Sequence, residues 1–333
     1  MKKLSWGVLS TARIGWDKVI PAMQRGDYCR IDAIASRDMA TAREWAAKLG
    51  IPKAYGSYEE LLADPEIDAI YNPLPNHLHV PWTSKAAEAG KHVLCEKPIA
   101  LTADEAKALL EVRDRTGRRI QEAFMVRTHP QWVQAKEILK SGRIGEIRAI
   151  QGFFSYYNDD PDNIRNKADI GGGGMLDIGC YPTTTSRFML EAEPRREVAM
   201  IDRDPVSGID RLGSAIYDFT GVQASFAYST QLVAYQRMHF FGTQGRIEVE
   251  IPFNAPNDFP CRLFVDDGSD LSGGGIEIVE IPTCDQYRVA GDAFSLAILE
   301  DTPQPIPLED AIANLRVIDA VFRSAKSGQW ESP

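Results

Sequence analysis

The chain has 333 residues, of which 44% are hydrophobic, and its formal net charge is −10. This length and apolar content are sufficient for two domains that each bury a core. The acidic balance, without a long basic run, argues against a nucleic-acid-binding protein. No apolar stretch approaches membrane-spanning length, and the N-terminus leads directly into a strand. We therefore expect a cytoplasmic protein without a membrane anchor.

The five cysteines are odd in number and lack C-x-x-C pairing. This pattern predicts reduced thiols and no metal site. Cys95 and Cys180 lie next to the candidate site residues described below. We expect both thiols to pack in a core rather than act as nucleophiles.

A buried strand is predicted from Leu4 to Ser10, and it leads into a turn and a helix that Pro21 should bend or interrupt. A dinucleotide-binding turn normally has the pattern G-x-G-x-x-G. Ser10, Ala12 and Gly15 occupy the three glycine positions, so the motif alone is weak. The Ser10 hydroxyl can still donate to a phosphate at the start of the helix.

The second strand, Arg30 to Ser36, ends in Ser36-Arg37, where an NAD-preferring site usually has an acidic residue. An acid would repel a ribose 2′-phosphate, whereas a hydroxyl and a guanidinium can bind it. The pair therefore favours NADP over NAD. The alternative is that Arg37 only begins a helix in solvent.

Strands and helices continue to alternate to residue 123. A helix from Met39 to Leu49 precedes a strand from Ile67 to Tyr71, and the last strand runs from Arg118 to Ala123. This order predicts a parallel sheet with right-handed crossovers. We expect residues 1–123 to form a doubly wound, nucleotide-binding Rossmann domain.

Lys97 follows an apolar strand that begins at His92, in the sequence Glu96-Lys97-Pro98. The carboxyl ends of parallel strands border the ligand crevice of such a sheet, which makes Lys97 a catalytic candidate. The alternative is a solvated surface lysine. His77 and His79, in the proline-rich loop after Tyr71, are expected to have capping or structural roles rather than catalytic ones.

Beyond Gly145 the chain changes to successive strand-like runs and ends in two helices, Tyr287 to Leu299 and Leu308 to Ala325. This change predicts an α+β domain with an open, mostly antiparallel sheet over residues 124–333. The last helix is expected to pack back on the first domain. The predicted strands are Ile147 to Phe154, Glu197 to Ile201, Ser214 to Phe219, Gln223 to Ser229, Met238 to Phe241 and Ile247 to Ile251.

A glycine-rich segment, GGGGMLDIGCY, occupies residues 171–181. Its four glycines predict a loop whose backbone can approach a ligand closely. Asp177 and Tyr181 are four residues apart on the helix behind it, so both face one direction. A lysine ammonium can stabilise the Tyr181 phenolate, and Asp177 can hold a substrate hydroxyl. The alternative is a flexible loop before an ordinary packed helix.

Several motifs occur together in one order: LSTARIG, the Glu96-Lys97-Pro98 signature, EAFMVRTHP, GGGGMLDIGCY, FGTQG and EDAIANLR. This combination resembles the Gfo/Idh/MocA family, named for glucose-fructose oxidoreductase, inositol dehydrogenase and a rhizopine catabolism protein. Because it has a tyrosine at position 181, the chain resembles the branch that contains glucose-fructose oxidoreductase, NADP-linked D-xylose dehydrogenase and dihydrodiol dehydrogenase. The chain departs from the family pattern at Ser10 and Ala12, and Gly291 interrupts a late helix.

The resemblance implies an NADP-dependent oxidoreductase with Lys97 and Tyr181 at the reacting carbon and Asp177 as partner of the substrate or the lysine. It also implies two groups of cofactor-binding residues. Around the phosphates and the adenosine end they are Ser10, Thr11, Ala12, Arg13, Ile14, Ser36 and Arg37. Around the nicotinamide and its ribose they are Leu74, Asn76, His79, Glu96, Lys97 and Arg127.

The expected reaction is hydride transfer between NADP and an aldose or related polyol. Two alternatives remain open: an aldose-aldose (glucose-fructose type) oxidoreductase with tightly held NADP, and a non-catalytic NADP-binding regulator. The open sheet predicts a homodimer or a dimer of dimers. The identity of the sugar and the direction of the reaction are not encoded in these patterns.

Overall fold

The structure is a computed structural model that describes residues 2–333. The chain divides into two compact units. The first extends to Met125 and also includes Asp285–Ile312, and the second comprises Val126–Cys284 and Ala313–Pro333. The division after Met125 lies two residues beyond the predicted boundary, and the return of 285–312 to the first unit is a feature that the sequence did not reveal.

The first unit contains a six-stranded sheet whose order is β3-β2-β1-β4-β5-β6. Neighbouring strands are parallel throughout this order. The strands are β1 (Leu4–Leu9), β2 (Cys29–Ala35), β3 (Lys53–Tyr55), β4 (Ala69–Asn72), β5 (His92–Glu96) and β6 (Ile120–Ala123). The helices between them are α1 (Ile20–Gln24), α2 (Met39–Leu49), α3 (Tyr58–Leu62), α4 (His79–Glu88) and α5 (Ala103–Thr116). From β1 to β3 the strands are added on one side of β1, and from β4 to β6 they are added on its other side, as in doubly wound folds.

Local sequence rules account for the helix ends of this unit. Asp38, Ser57 and Thr102 precede α2, α3 and α5, and each side chain accepts a hydrogen bond from a first-turn amide. Gly50 and Gly117 end α2 and α5 in the left-handed conformation. The interruption predicted at Pro21 is also present, because a π-helical turn, Gly15–Val19, changes to α1 where Pro21 lies in the first turn.

The second unit contains an eight-stranded sheet in the order β14-β13-β12-β11-β7-β10-β9-β8. Its pairings are antiparallel except that of β7 with β10. The strands are β7 (Ile147–Tyr157), β8 (Arg196–Arg203), β9 (Asp210–Phe219), β10 (Val222–Ser229), β11 (Gln231–Gly242), β12 (Arg246–Val249), β13 (Cys261–Asp266) and β14 (Ile276–Ile281). The second unit contains helices α6 (Pro130–Lys140) and α7 (Cys180–Leu190). Helix α8 (Gln286–Leu299) belongs to the first unit, and α9 (Leu308–Ser327), the last helix, lies mostly in the second unit, from Ala313 onwards. Both sheets confirm the predicted fold class.

One face of the second sheet is apolar and buried, and the other is open. On β11, Met238 and Phe240 are fully buried, whereas Arg237 and His239, on either side of Met238, are partly exposed. This period-two alternation is what a sheet covered on one side requires. Strands β13 and β14 and helix α6 were not predicted, because short strands and a helix between two loops give weak periodic signals.

Helix α8 belongs to the first unit, and Gly291 explains how it packs there. A Cβ atom at this position would lie 2.9 Å from Met23 Cγ and 3.3 Å from Cys29 Sγ. The missing side chain therefore lets α8 lie directly on α1 and β2. Asp292, the next residue, accepts hydrogen bonds from the amides of Asp27 and Tyr28. The glycine that departs from the helical pattern is a packing position. Among residues 2–333, none of the helices is both long and apolar enough to cross a membrane.

Candidate active site

The first βα turn adopts the conformation that the fingerprint glycines normally provide. Ser10 has a φ of 74°, in the left-handed region that favours glycine. Its own hydroxyl oxygen accepts a hydrogen bond from the Ala12 amide at 3.3 Å, which holds the turn. The helical turn begins at once, since the amides of Gly15 and Trp16 donate to the Ala12 carbonyl. The replacement of glycine by serine therefore preserves the turn.

The carboxyl end of β2 presents a hydroxyl and an exposed guanidinium. Ser36 follows the strand directly and Arg37 is exposed. The acid that comes next, Asp38, accepts hydrogen bonds from the Thr41 amide and hydroxyl, each at 2.7 Å. These bonds lower the pKa of Asp38, first through the hydroxyl and then through the amide. Because Asp38 caps its own helix, Arg37 is the charge that extends from this loop.

Lys97 lies in a loop whose main chain is held by two acidic side chains, one of which is itself bonded by a tyrosine. Glu96 accepts from the Lys97 amide at 3.3 Å and from the Tyr71 hydroxyl at 2.6 Å. Glu122, at the end of β6, accepts from the Ile99 amide at 2.8 Å. Burial, with a further contribution from Glu96, raises the pKa of Tyr71 well above its usual value. Tyr71 therefore remains a hydrogen-bond donor to Glu96.

His79 connects this loop to the loop after β4. Its side chain is 1% exposed, with Nδ1 2.6 Å from the Pro98 carbonyl oxygen and Nε2 2.6 Å from the Leu74 carbonyl oxygen. Burial lowers the pKa of His79 to about 4, although both carbonyls favour the protonated ring. Both ring nitrogens face the chain itself, so His79 contributes by fixing Leu74 and the loop of Lys97. This is consistent with the structural role expected for histidines here.

The remaining predicted residues of the first unit lie along the same edge of the sheet. Four adjacent strands of the sheet, β2, β1, β4 and β5, end at this edge. The loops that follow them contain Ser36, Ser10, Leu74 and Lys97, respectively. Leu74 is buried, and Asn76 is partly exposed in a 3₁₀ turn, Asn76–Leu78. The structure thus brings together the predicted cofactor residues from four separate loops. Arg127 belongs to the second unit, where its guanidinium lies 4.6 Å from the centre of the Phe188 ring.

The glycine run before Tyr181 packs against its own unit. A Cβ atom at Gly172 would lie 2.6 Å from the Arg165 carbonyl oxygen, and one at Gly174 would lie 2.7 Å from the Tyr228 ring. At both positions the absence of a side chain therefore lets the backbone lie close to other parts of the protein. The approach of this loop to a ligand stays a prediction, and at these two positions the glycines also lie against protein atoms.

Asp210 supports the start of the helical segment that follows. Its carboxylate is 3% exposed and accepts from the Met175 amide at 2.6 Å and from the Tyr228 hydroxyl at 2.7 Å. Burial raises the pKa of Asp210, while both hydrogen bonds oppose that shift. The segment begins as a π-helical turn, Met175–Gly179, and continues as α7.

Asp177 and Tyr181 lie on this continuous segment, as predicted. Asp177 Oδ1 is 3.1 Å from Arg165 Nε, and Oδ2 accepts from the Tyr156 hydroxyl at 2.5 Å. Tyr181 is 5% exposed, and its ring packs against Phe154 and Phe253 with centroid distances of 5.7 and 5.3 Å. A carboxylate and a phenol with these neighbours form the polar centre of the second unit.

Sequence reasoning did not identify Tyr156, Arg165, Asp210 or Glu122. For Tyr156 a signal existed, because strand alternation places it on the same face of β7 as Phe154. Glu122 also ends a buried strand, which is an unusual place for a charge. Arg165 and Asp210 are distant in sequence from Asp177 and Met175, and no spacing rule relates them.

Comparisons with known proteins identify the family of the chain. A model described as an oxidoreductase family with an NAD-binding Rossmann fold, GFO_IDH_MocA, matches residues 4–124, and the GFO/IDH/MocA C-terminal domain model matches residues 132–248. An uncharacterized oxidoreductase of Rhizobium meliloti is 49% identical over 100% of both chains. A D-xylose 1-dehydrogenase (NADP(+)) of Haloferax volcanii is 35% identical over 98% of both chains.

A solved structure is similarly close in fold. The 3-ketoreductase KijD10 of Actinomadura kijaniata, crystallised with NADP and TDP-benzene, has a TM-score of 0.90 and 30% identity, over 97% of this chain and 98% of that one. The chain therefore belongs to the Gfo/Idh/MocA family of NAD(P)-dependent oxidoreductases. The resemblance inferred from the motifs is confirmed.

Replacing Asp210 with Ala should lower the free energy of unfolding by about 2–4 kcal/mol, because it leaves a buried amide and a buried hydroxyl without an acceptor. Urea unfolding followed by circular dichroism measures this difference. Asp202→Ala is the matched control, since Asp202 is exposed and pairs with Arg211 on the surface. Equal stability of the two variants would contradict the anchoring role of Asp210.

Proposed function

We propose that the protein is an NADP-dependent oxidoreductase that acts on a CH–OH group of a neutral aldose or related polyol. Its 35% identical relative is named a D-xylose 1-dehydrogenase (NADP(+)), which supports a sugar substrate. The strongest structural support for this proposal comes from the loop that contains Lys97. Glu96, Glu122 and His79 together fix the main chain on both sides of this lysine. Such support is what a precisely positioned functional group requires.

The residues of the first unit fit NADP. The left-handed turn at Ser10 leaves the first amides of the following helix open to a pyrophosphate. Arg37 and Ser36 provide a guanidinium and a hydroxyl for the ribose 2′-phosphate. Asp38 remains ionised, but the Thr41 amide and hydroxyl hold its carboxylate at the start of its own helix. We therefore assign Ser10, Ser36 and Arg37 to cofactor binding.

Bound NADP⁺ would supply the hydride acceptor, taking the hydrogen of the substrate C–H bond with its electron pair. Tyr181, as phenolate, accepts the proton of the substrate hydroxyl and becomes a phenol as the carbonyl forms. Lys97, as ammonium, stabilises the phenolate before this transfer. In the reverse direction the Tyr181 phenol donates the same proton to the alkoxide oxygen. These roles balance one proton and one hydride per turnover.

The charges around Asp177 support a neutral substrate. The carboxylate is paired with the Arg165 guanidinium at 3.1 Å, so the pair has no net charge. Tyr156 adds a neutral hydroxyl group to this surface. A polyhydroxylated sugar meets hydrogen-bonding groups there without electrostatic attraction or repulsion.

The first test is the absorbance of reduced nicotinamide in purified protein with NADP⁺ and a panel of aldoses and polyols. A steady rise with one sugar supports the proposed dehydrogenase. A rise limited to one equivalent of enzyme indicates tightly held cofactor and an aldose-aldose reaction with a second sugar as acceptor. Absence of any rise, together with tight NADP binding, would favour a regulator.

Replacing Tyr181 with Phe should lower kcat by at least about 10²-fold, because the proton acceptor is lost while the ring packing is kept. Steady-state kinetics with the active sugar measure the effect. Tyr157→Phe is the control, since Tyr157 is 65% exposed and its hydroxyl donates to Asp159, two residues beyond the end of β7. Unchanged turnover of the Tyr181 variant would refute its assignment.

Replacing Arg37 with Ala should lower kcat/KM for NADP⁺ by about 10- to 100-fold, since a charge-assisted hydrogen bond is lost. The value for NAD⁺ should change little, because NAD⁺ lacks the 2′-phosphate. Arg43→Ala controls for the loss of one exposed positive charge on α2. Equal losses with both nucleotides would exclude Arg37 from 2′-phosphate recognition.

The open face of the second sheet supports a homodimer. It contains a groove of about 390 Å³ lined by Phe153, Ile216 and Tyr235, and Met200 on β8 is 74% exposed. The charged residues beside the groove are paired within the face, as Arg237 with Glu248 at 3.2 Å. A second copy would therefore meet an apolar surface without unpaired charges, as an isologous contact requires.

Ile216→Lys should convert the dimer to a monomer, because two copies of the added charge would meet or be buried near the two-fold axis. Light scattering after size exclusion gives the mass of each species. Val206→Lys is the control, since Val206 is 94% exposed and lies in a turn outside the strands. A monomeric parent protein would contradict the proposed assembly.

A further inference from the structure

Asp177 is held by two side chains that have no role in the reaction described above. Arg165 Nε lies 3.1 Å from Oδ1, and the Tyr156 hydroxyl donates to Oδ2 at 2.5 Å. The Asp177 side chain is 13% exposed, whereas that of Arg165 is 44% exposed. The guanidinium therefore extends from the carboxylate towards solvent, with its two Nη groups still available as donors.

The backbone of Arg165 is fixed on both sides. Its amide donates to the Asn163 side-chain oxygen at 3.0 Å, and its carbonyl accepts from the Gly173 amide at 2.9 Å. Asn166 is buried and donates to the Asp160 carbonyl at 2.8 Å. The close approach of Gly172 to Arg165 completes this support. The glycine run thus places Arg165 beside the helical segment that contains Asp177 and Tyr181.

We propose that Arg165 is a positioning residue for Tyr181: it orients the Asp177 carboxylate and offsets the negative charge of that carboxylate near the phenol. The inference rests on the proposed function, in which Tyr181 accepts the substrate proton as a phenolate. Without Arg165, the phenolate would form one helical turn from a carboxylate that has lost this positively charged partner. Like charges at this separation oppose each other.

The electrostatics of the unit agree with this role. The Asp177 carboxylate raises the pKa of Arg165 above its usual value, and Tyr156 and Tyr181 contribute in the same direction. Electrostatic attraction is mutual: an ionised Tyr181 stabilises the charged Arg165 guanidinium, and the guanidinium therefore also stabilises the ionised form of Tyr181. Burial, followed by Asp177, raises the pKa of Tyr156, which therefore stays a neutral donor to the carboxylate.

The test measures ionisation of Tyr181 directly. Tyrosinate absorbance is titrated in the full-length protein, and the curve of the Tyr181→Phe background is subtracted to isolate Tyr181. We expect the midpoint in Arg165→Gln to be about one pH unit higher than in the parent protein. Arg165→Lys, which keeps the charge, should restore most of the shift, and Arg148→Gln, at an exposed arginine, should leave it unchanged. Equal midpoints in parent and Arg165→Gln would overturn the inference.

Kinetics provide the second readout. In Arg165→Gln, kcat/KM for oxidation should fall by at least about 10-fold at neutral pH and recover at higher pH. Adding guanidinium ion to Arg165→Ala should restore part of the rate. A rise in KM alone, with the parent pH profile, would show that Arg165 only binds substrate.

The two readouts separate this inference from the proposed function. Loss of turnover in Tyr181→Phe with a parental pH profile in Arg165→Gln would refute the role of Arg165 alone. Full turnover in Tyr181→Phe would refute the catalytic assignment of Tyr181. The absorbance titration would then still decide whether Arg165 controls ionisation of that tyrosine.

Discussion

Buried backbone groups must find partners where the strands of a sheet end, and this constraint shapes the edge that carries Lys97. Beyond β5 and β6 the ladder stops, and the amides and carbonyls of the next loop have no strand to pair with. Glu96, Glu122 and His79 supply those partners. Three side chains that satisfy the backbone therefore also fix the position of the lysine. The same hydrogen bonds therefore satisfy the buried backbone groups and hold the main chain of Lys97 in place.

The same constraint acts in the second unit at the start of α7. The first amides of a helical segment lack partners inside the helix. Asp210 accepts the Met175 amide from within the core, which requires a buried carboxylate. The Tyr228 hydroxyl offsets part of the cost of that burial. Because glycines allow the chain to lie against this pair, the segment with Asp177 and Tyr181 is fixed at its first turn.

The periodicity of the sequence was sufficient to predict the architecture and to identify the residues at the ends of strands. The alternation of strands and helices gave the parallel sheet, since right-handed crossovers leave few other topologies. The position of Lys97 followed from the end of an apolar strand. Periodicity did not reveal that residues 285–312 belong to the first unit, because the contacts of Gly291 with Met23 and Cys29 are long-range. Packing of this kind has no local signature.

Arg165 shows most clearly what a sequence pattern leaves out. A glycine run before a helix predicts that the backbone can approach a ligand closely. The structure adds a second requirement for glycine, because Gly172 and Gly174 lie against protein atoms. Since the Gly173 amide binds the Arg165 carbonyl, the run sets the place of a charge twelve residues before Asp177. Small residues can thus govern the electrostatics of a site through the position that they give to a charged neighbour.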